Sequence, residues 1–379
     1  MRSANYKYES GNWLPQNINN TEFASQAQLV LTFGARNLIG DAAICQSLRN
    51  EFPSADIALC STAGEILDEK ALTNSIVATC LFFDSTQVKS AVVNINDYAD
   101  SYTMMTDLLS KLPPKDLVYS MILSDGGLVN GAQMMLAAKE KLGERVFFTG
   151  GMAGDGVEFK TTYCGLNSAP VAGNVVAIGL NGKNLRVTHG LGGGWKEFGS
   201  EHIITKSEYN KVFEIDGENA ITVYKRQFGT YMKHLPASLF IYPLAFFLPD
   251  ADEPLIRSFL SFDEKAGAIT FAGDLPVGAR VKFAKGSFSA LIDAARTASL
   301  NALENAPRAP DYVFLLSCVG RKFVLGPGAD EELQVIRPLV DKTTVMSGFY
   351  SYGEFSAFNS QRECRFHNQT IVITCFYEN

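Results

Sequence analysis

The sequence predicts an α/β protein in which internally repeated strand–helix–strand units form two packed domains. One observation is that short apolar runs alternate with segments of helical periodicity. Another is that the same order of elements, with matching residues, returns near the C-terminus. A third is composition: 46% of the 379 residues are hydrophobic and 19% are charged, so the chain can bury a large core and is not disordered.

The first and last units carry the clearest repetition. Strand, helix, strand with a glycine loop, and strand are predicted over residues 28–34, 40–52, 57–66 and 76–83. The same order returns over residues 312–317, 329–339, 344–355 and 371–377. The echoes are Arg36 and Arg321 after the first strands, a Ser…Gly-Glu loop at 61–65 and 351–354, and IVATC (76–80) matched by IVITC (371–375). We expect both units to share one fold, with Gly64 and Gly353 in equivalent loops.

A looser third copy lies between these two units. Its elements are predicted at residues 117–124, 131–142, 146–156 and 175–180, with Asp155 where the other loops have glutamate. A short helix at 217–227 and a proline-punctuated stretch at 235–254 mark the domain boundary. We therefore divide the chain into domains 25–215 and 216–379. A packing helix is predicted at 288–305.

Charge and composition exclude several classes of function. With 40 acidic and 33 basic residues, the net charge of −7 provides no basic field for nucleic acid. The longest apolar stretch, 237–248, is interrupted by Pro243 and too short to insert into a membrane, and no signal peptide is evident. We expect a cytoplasmic protein. The seven cysteines form no CxxC motif and are expected to be reduced core thiols.

The glycine loops at strand ends are the predicted ligand site, because open α/β sheets bind ligands there. Glu65 and Glu354 either hold their own turns or, as we favour, face a shared cleft with Arg36 and Arg321. The loops precede strands, so they match neither nucleotide-binding fingerprint. The candidate ligand-binding residues are Arg36, Cys60, Ser61, Thr62, Gly64, Glu65, Gly150, Gly151, Gly154, Asp155, Arg321, Tyr350, Tyr352, Gly353, Glu354, His367 and Asn368.

An enzyme is the alternative to a binding protein. Cys60 or Ser61 would be the nucleophile and Glu65 or Glu354 the base, but no nucleophile elbow or triad pattern supports it. We expect binding without turnover, and the apolar stretch 240–248 is the candidate partner surface if it is exposed. The four histidines are too dispersed for a local metal motif, although one histidine suffices for haem iron.

Five motifs, taken in order, resemble the FIST family, whose name stands for F-box and intracellular signal transduction. They are CSTAGEI (60–66), GGMAGDG (150–156), GENAITVYKR (217–226), SGFYSYGEF (347–355) and FHNQT (366–370). The resemblance extends from about residue 28 to residue 377 and implies an N-terminal and a C-terminal FIST domain.

The resemblance implies a sensory module that binds a small ligand. Some stand-alone bacterial members are haem-based nitric oxide sensors that regulate a histidine kinase and affect cyclic-di-GMP signalling. Haem is therefore the cofactor, and a separate histidine kinase or cyclic-di-GMP enzyme the partner, that the resemblance suggests. His202 and His234, which lie outside the repeated units, are the candidate haem ligands, and His367 belongs to the FHNQT motif.

Overall fold

Three repeats and one inserted unit make up the chain in the computed structural model, which describes residues 1–16, 23–143, 146–229, 241–248, 253–357 and 364–379. The first repeat contains β1 (Arg2–Glu9), β2 (Asn12–Pro15), β3 (Leu29–Ala35), α1 (Arg36–Ile39), α2 (Ala42–Glu51), β4 (Asp56–Thr62), β5 (Glu65–Leu67), β6 (Lys70–Ala71) and β7 (Ile76–Phe82). The second contains β8 (Gln87–Asn94), α3 (Ser101–Ser110), β9 (Leu117–Ser124), α4 (Gly131–Leu142), β10 (Phe147–Met152), β11 (Cys164–Leu166) and β12 (Asn174–Asn181).

The third repeat is interrupted by the inserted unit. It begins with β13 (Leu185–Gly192). The inserted unit contains β14 (Trp195–Glu208), β15 (Lys211–Ile215), β16 (Glu218–Asn219), α5 (Ala220–Phe228), β17 (Leu244–Phe247), β18 (Leu255–Arg257), β19 (Phe259–Asp263), β20 (Ala268–Phe271) and β21 (Arg280–Gly286). The third repeat then resumes with α6 (Phe288–Leu303), β22 (Tyr312–Cys318), α7 (Val319–Leu325), α8 (Ala329–Gln334), β23 (Val345–Ser351), β24 (Gly353–Ala357), β25 (Cys364–His367) and β26 (Ile371–Glu378).

Three six-stranded sheets have the same arrangement of their central strands. Their orders are β11-β4-β3-β7-β1-β2, β25-β24-β10-β9-β12-β8 and β6-β5-β23-β22-β26-β13. In each sheet one central pair is parallel, namely β3 with β4, β9 with β10 and β22 with β23. The last strand of each repeat then pairs antiparallel with the first of these. The predicted α/β class with repeated units is confirmed.

Each sheet contains a strand from another repeat. β5 leaves the first repeat and pairs with β23, β24 leaves the third and pairs with β10, and β11 leaves the second and pairs with β4. The exchange is cyclic, so all three repeats depend on one another for a complete sheet. This explains in physical terms why units with few strands pack together.

The register of the last strands confirms the equivalence of the first and third repeats. Cys80 of IVATC lies opposite Val30, and Cys375 of IVITC lies opposite Val313, the second residue of the corresponding strand in each case. Gly64 directly precedes the exchanged strand β5 and Gly353 begins the exchanged strand β24. The two glycine loops are therefore in equivalent positions, as predicted.

Apolar side chains from all three sheets form one central core. Phe33 of the first sheet stacks on Phe349 and Phe314 of the third, with ring centroids 4.8 and 5.8 Å apart. Tyr119 of the second sheet meets Phe376 of the third edge to face at 5.0 Å. Separate apolar clusters on the other faces include residues from the helices. The sheets thus surround a shared interior, and the helices cover the outside.

The helices largely follow the sequence prediction. α4 has the predicted bounds, and the Asn130 side chain caps it by accepting the amides of residues 132 and 133. α6 spans most of the predicted packing helix. α8 ends at Gln334, earlier than predicted, and a short 3-10 turn containing Pro338 follows, because proline lacks the amide that would continue the helix. Within the described ranges, the helices lack the length and hydropathy that a membrane-spanning helix requires.

The inserted unit is a β structure packed around its own aromatic core, which includes Tyr224, Phe228 and Phe283. The stretch expected as a partner surface enters this unit as β17. Leu244 and Phe246 are buried, and Phe247 is half-buried. The partner-surface interpretation is therefore wrong for 243–246, while residue 240 lies outside the described residues. The division of the chain at residues 215 and 216 stays a prediction.

Replacing Phe33 with alanine should lower the free energy of unfolding by about 3–5 kcal/mol, because it leaves a cavity where two sheets meet. Urea unfolding of the two proteins measures the change. Leu300→Ala is the control, since Leu300 on α6 is 47% exposed and its truncation should cost less than about 0.5 kcal/mol. Equal effects of the two substitutions would contradict a shared central core.

Candidate functional site

The three loops that carry most of the predicted site residues meet where the exchanged strands cross between sheets. Backbone hydrogen bonds join them in pairs: Gly154 N to Ser61 O (2.9 Å), Ala63 N to Tyr350 O (2.9 Å) and Tyr352 N to Met152 O (3.1 Å). The sequence therefore identified three loops that come together. Because the backbones bond directly to one another, the crossing itself is packed.

Glycines allow this close crossing. A Cβ atom added to Gly154 would lie 2.7 Å from the amide nitrogen of Ala63, and one added to Gly150 would lie 2.0 Å from a backbone oxygen of β9. One added to Gly151 would meet Leu316 at 2.9 Å. At these three positions the absence of a side chain lets backbone and core atoms pack closely.

Glu65 holds the turn of its own loop. Its Oε1 accepts the Thr62 hydroxyl at 2.6 Å, and its Oε2 accepts the amide and the hydroxyl of Ser75 at 3.2 and 2.6 Å. Ser75 directly precedes β7, so this carboxylate ties the crossing loop to the last strand of the repeat. Burial raises the pKa of Glu65.

Glu354 repeats the arrangement in the third repeat. Its Oε1 accepts the Ser351 hydroxyl at 2.6 Å, and its Oε2 accepts the amide and hydroxyl of Thr370, directly before β26, at 3.2 and 2.8 Å. Both glutamates are fully buried. The expectation that Glu65 and Glu354 face a shared cleft is wrong, because both oxygens of each carboxylate accept hydrogen bonds within its own turn.

The two predicted arginines also differ from the expectation. Arg321 is fully buried, pairs with Glu332 at 2.7 Å and donates to backbone carbonyls, so it does not line an open cleft. Arg36 is partly exposed, with its Nη2 2.9 Å from Glu158 and its Nε 4.0 Å from Asp155. Arg36 thus stabilises the 155–163 loop.

Asp155 and Tyr352 organise that loop. Asp155 accepts the backbone amides of residues 159, 160 and 161 at 2.8 to 2.9 Å and the hydroxyl of Tyr352. Burial alone would raise the pKa of Asp155, but these hydrogen bonds hold it below its usual value. The Tyr352 ring stacks on Phe159 at 4.5 Å.

Three further predicted residues lie inside the fold. Tyr350 and Asn368 are fully buried, and neither polar atom of the Asn368 amide has a hydrogen-bond partner within the part of the chain that the structure describes. His367 is also buried, its Nε2 lies 3.2 Å from the Ser356 carbonyl, and desolvation lowers its pKa to about 3. His367 is therefore neutral and structural.

A cavity of about 730 Å³ opens beside the crossing, between the second and third repeats and the inserted unit. Its walls come from the glycine loop 126–131, from residues 157–160, from residues 318–320 and, in the inserted unit, from residues that include Ser261 and Asp274. Tyr352 is the predicted site residue that lines it. The cavity lies at the carboxyl ends of β9 and β22, where ligands bind open α/β sheets.

Asp125 holds the glycine loop in place. Its Oδ1 accepts the amides of Gly127 and Leu128 at 2.8 and 2.7 Å, and its Oδ2 accepts the Thr162 hydroxyl at 2.9 Å and the amide of Gly173 at 3.0 Å. Residue 173 directly precedes β12. Asp125 therefore does in the second repeat what Glu65 and Glu354 do in the others, and it also joins two walls of the cavity.

The lining combines apolar side chains with polar groups of both signs of charge. Asn130 Nδ2 donates to Asp274 Oδ1 at 3.2 Å, which joins the second repeat to the inserted unit. Burial raises the pKa of Asp274, although Asn130 and the nearby Arg257 oppose the shift. Lys160 and Glu158 are exposed at the wall. Burial also raises the pKa of the Cys318 thiol.

Sequence reasoning missed the loop 126–131. It contains no phosphate-binding motif. The available signal was its position, since a Gly-Gly pair after a buried strand and an Asn cap before a helix mark a loop at the carboxyl edge of the sheet. The contribution of the inserted unit had no sequence signal, because Asp274 is 144 residues from its partner Asn130.

The lining does not fit haem. Among the described residues, no histidine lines the cavity, and His202 is bonded instead to Asp216, with Nδ1 and Oδ2 2.6 Å apart. His234 lies outside the described residues. The Tyr352 hydroxyl is donated to Asp155, and the Cys318 thiol is 2% exposed, so neither is a ready iron ligand. The described residues also contain no cluster of three or more groups able to hold a metal ion.

The nucleophiles of the enzyme alternative are inaccessible. Cys60 and Ser61 are fully buried on β4, and the Ser61 hydroxyl accepts the amide of Tyr163 at 2.8 Å. Glu65, the proposed base, is bonded to Thr62 and Ser75. The described geometry therefore offers no support for catalysis by these residues.

Comparison with known proteins identifies the family of both halves. A family model of the FIST N domain matches residues 28–218, and one of the FIST C domain matches residues 220–357. No curated protein matches the sequence. One similar solved structure, a cyanuric acid hydrolase, is 11% identical, with 78% of this chain and 68% of that chain covered and a TM-score of 0.28. A TM-score of this size carries no argument about fold or function.

Replacing Glu354 with glutamine should flatten the dependence of stability on pH. Burial raises the pKa of Glu354 from 4.5 to about 7, so the folded state binds the proton more tightly than the unfolded state in this interval. The free energy of unfolding of the wild type should therefore fall as pH rises from 4.5 to about 7. Relative to the wild type, E354Q should gain stability between about pH 5 and pH 8, as measured by urea midpoints.

Glu378→Gln is the control of opposite sign. Hydrogen bonds from residues 84–86 outweigh burial and lower the pKa of Glu378 to about 2, so its ionised form stabilises the fold at both pH values. E378Q should be less stable than the wild type at about pH 5 and at about pH 8. A difference between the wild type and E354Q that is the same at both pH values would show that Glu354 does not titrate in this interval.

Proposed function

We propose that this chain, which belongs to the FIST family, is a sensor that binds a small polar ligand in the cavity between the glycine loop 126–131 and the inserted unit. FIST domains are sensor domains of signal transduction. The observation that carries the proposal is that the walls of this cavity come from separate structural units. A ligand that fills it contacts both units at once, which is what a sensor requires.

The way in which binding becomes a signal follows from how the inserted unit is attached. Trp195 Nε1 donates to the Gln369 carbonyl at 2.7 Å, and Arg257 Nη1 donates to the Phe366 carbonyl at 3.1 Å. These contacts fix the unit to the third repeat, whereas at the cavity the hydrogen bond of Asn130 to Asp274 joins the inserted unit to the second repeat. A ligand that prefers one spacing of the walls shifts the equilibrium by its difference in affinity.

Several polar groups of the lining suit a ligand that donates hydrogen bonds. The carboxylates of Asp274 and Glu158 and the amide of Asn210 can accept such bonds, and hydroxyl groups such as that of Ser261 can accept or donate. A polar molecule would satisfy these groups, whereas a large apolar one would leave them desolvated without partners.

We further propose that the signal passes to a separate protein. A histidine kinase or an enzyme of cyclic-di-GMP metabolism is the partner that the family resemblance suggests. Nitric oxide bound to haem is the alternative ligand from the same source, and a visible spectrum distinguishes it from a polar ligand.

Replacing Gly127 with phenylalanine should block the cavity and leave the fold intact. Gly127 lies at the wall, and the nearest atom to an added Cβ, Asp125 Oδ1, is 3.9 Å away, so a side chain fits without backbone strain. In saturation-transfer NMR with a library of small polar compounds, we expect signals with the wild type and a loss of at least about tenfold in affinity with G127F.

Val277→Phe is the matched control, because it adds an aromatic ring at an exposed position that does not line the cavity. V277F should bind like the wild type. Unchanged binding by G127F would place the ligand elsewhere and refute the cavity as the sensor site.

Addition of haemin to the purified chain should give no stoichiometric complex with a shifted Soret band, since the described lining supplies no histidine. A titration followed by absorbance measures this directly. A one-to-one complex whose Soret band moves on addition of nitric oxide would replace the polar-ligand proposal with a haem sensor.

A further inference from the structure

Two cysteines face each other across the exchanged strand of the second repeat. Cys60 on β4 lies directly opposite Cys164 on β11, and their sulfur atoms are 3.9 Å apart. Both side chains are fully buried in the central core. The pair joins the first repeat to the second, because β11 comes from the second repeat and completes the sheet of the first.

The backbone geometry at this pair suits a disulfide. The amide of Ser61 donates to the Tyr163 carbonyl at 2.8 Å, and the Cys164 amide donates away from β4 to the Val171 carbonyl at 3.2 Å, so Cys60 and Cys164 face each other at a non-hydrogen-bonded position. Opposed residues at such positions have Cα atoms about 4.5 Å apart, within the span that a disulfide bridges. The sulfur atoms therefore need to close about 2 Å by side-chain rotation.

We propose that Cys60 and Cys164 form a reversible disulfide that locks the exchanged strand β11 to β4. With hydrogen peroxide as the oxidant, one thiol is oxidised to a sulfenic acid and releases one water. The second thiol then attacks that sulfur, the S–S bond forms and a second water leaves. Two electrons pass from the thiols to the peroxide, and a dithiol reductant reverses the change.

Access to the buried pair depends on local opening of the sheet edge. β11 is three residues long and lies at the edge of its sheet, where Cys164 also forms an isolated bridge with Val171, which is 48% exposed. The chain turns at the exposed residues Asn167 and Ser168. Short edge segments of this kind open without global unfolding. Because burial raises the pKa of Cys164, oxidation proceeds from the opened state and is faster in mild denaturant.

The disulfide would also restrain a wall of the cavity. Thr162 lines the cavity and lies two residues before Cys164, and residues 157–160 of the same loop form more of the wall. A covalent anchor at the end of this loop reduces the conformations open to it. Oxidation is therefore coupled to the cavity, although disulfide formation itself does not depend on the proposed function.

The test uses the full-length chain treated with hydrogen peroxide. Remaining thiols are alkylated in denaturant, and peptides are mapped by mass spectrometry without reduction. We expect one linked pair of peptides, containing Cys60 and Cys164, lighter by two hydrogens and separated by dithiothreitol. Recovery of both cysteines as alkylated thiols, or links between separate chains, would overturn the proposal, and the wild type alone decides this.

Two variants test which cysteines form the disulfide. Cys164→Ala should abolish the linked peptides. Cys375→Ala is the matched control, because Cys375 is equally buried on a strand but faces Val313 and Thr188, and it should leave the link intact. Loss of the link in Cys375→Ala would contradict the assignment of the pair.

Hydrogen–deuterium exchange tests the coupling to the cavity. On oxidation of the wild type, we expect amide exchange in residues 155–163 to slow by at least about fivefold, while exchange in Cys164→Ala is unaffected by peroxide. A disulfide that forms without any change in exchange would refute the link between the redox pair and the cavity wall.

Discussion

The cyclic exchange of strands is the constraint on which the rest of the structure depends. β5, β11 and β24 each leave one sheet and complete another, so three connections must cross at one place. A crossing of three backbones requires residues without side-chain bulk and a partner for every buried amide. Glycines meet the first need, and hydrogen bonds between the loops, with buried carboxylates, meet the second.

The carboxylates show how the second repeat departs from the other two. Glu65 and Glu354 brace their loops from within, each between a hydroxyl in the loop and a residue before the last strand. In the second repeat Asp125 makes the corresponding contact from the end of β9. Asp155 is thereby free to organise the 155–163 loop instead. The cavity lies beside the second repeat, in which Asp125 has the bracing role that a loop glutamate has in the other two repeats.

The sequence was sufficient to predict the repeats, but it was not sufficient to predict what their polar residues do. IVATC and IVITC predicted equivalent strands because β-strand register depends on local apolar pattern, and the structure places Cys80 and Cys375 alike. A glutamate after a glycine can equally brace a turn or face a cleft, and burial decides which. Glu354 braces its turn through a hydrogen bond from Thr370, which is 16 residues away. Contacts of this length leave no local signal.

The sequence predicted a ligand site at the carboxyl edge of the sheet, but it did not predict which loops line the cavity. Ligand binding at the carboxyl edge of an α/β sheet follows from fold class, and three loops at that edge were identified. Whether a space between two repeats stays open depends on the side chains that enter it. Lys322 enters the space beside Gly64, where it donates to the Ala63 and Leu72 carbonyls. Beside the second repeat, Gly126 and Gly127 contribute no side chain.

This asymmetry places the proposed ligand cavity and the strand exchange on one stretch of backbone. The chain runs from Met152, in the crossing, through the cavity wall at 157–160 to Cys164, on the exchanged strand. Asp125 and Thr162 join this stretch to the glycine loop by a buried hydrogen bond of 2.9 Å. A displacement of the wall must therefore either break buried hydrogen bonds, which is costly, or move the exchanged strand with it. Because β11 pairs with β4 at the edge of the first sheet, a displacement of the wall that keeps these hydrogen bonds reaches the first sheet through β11.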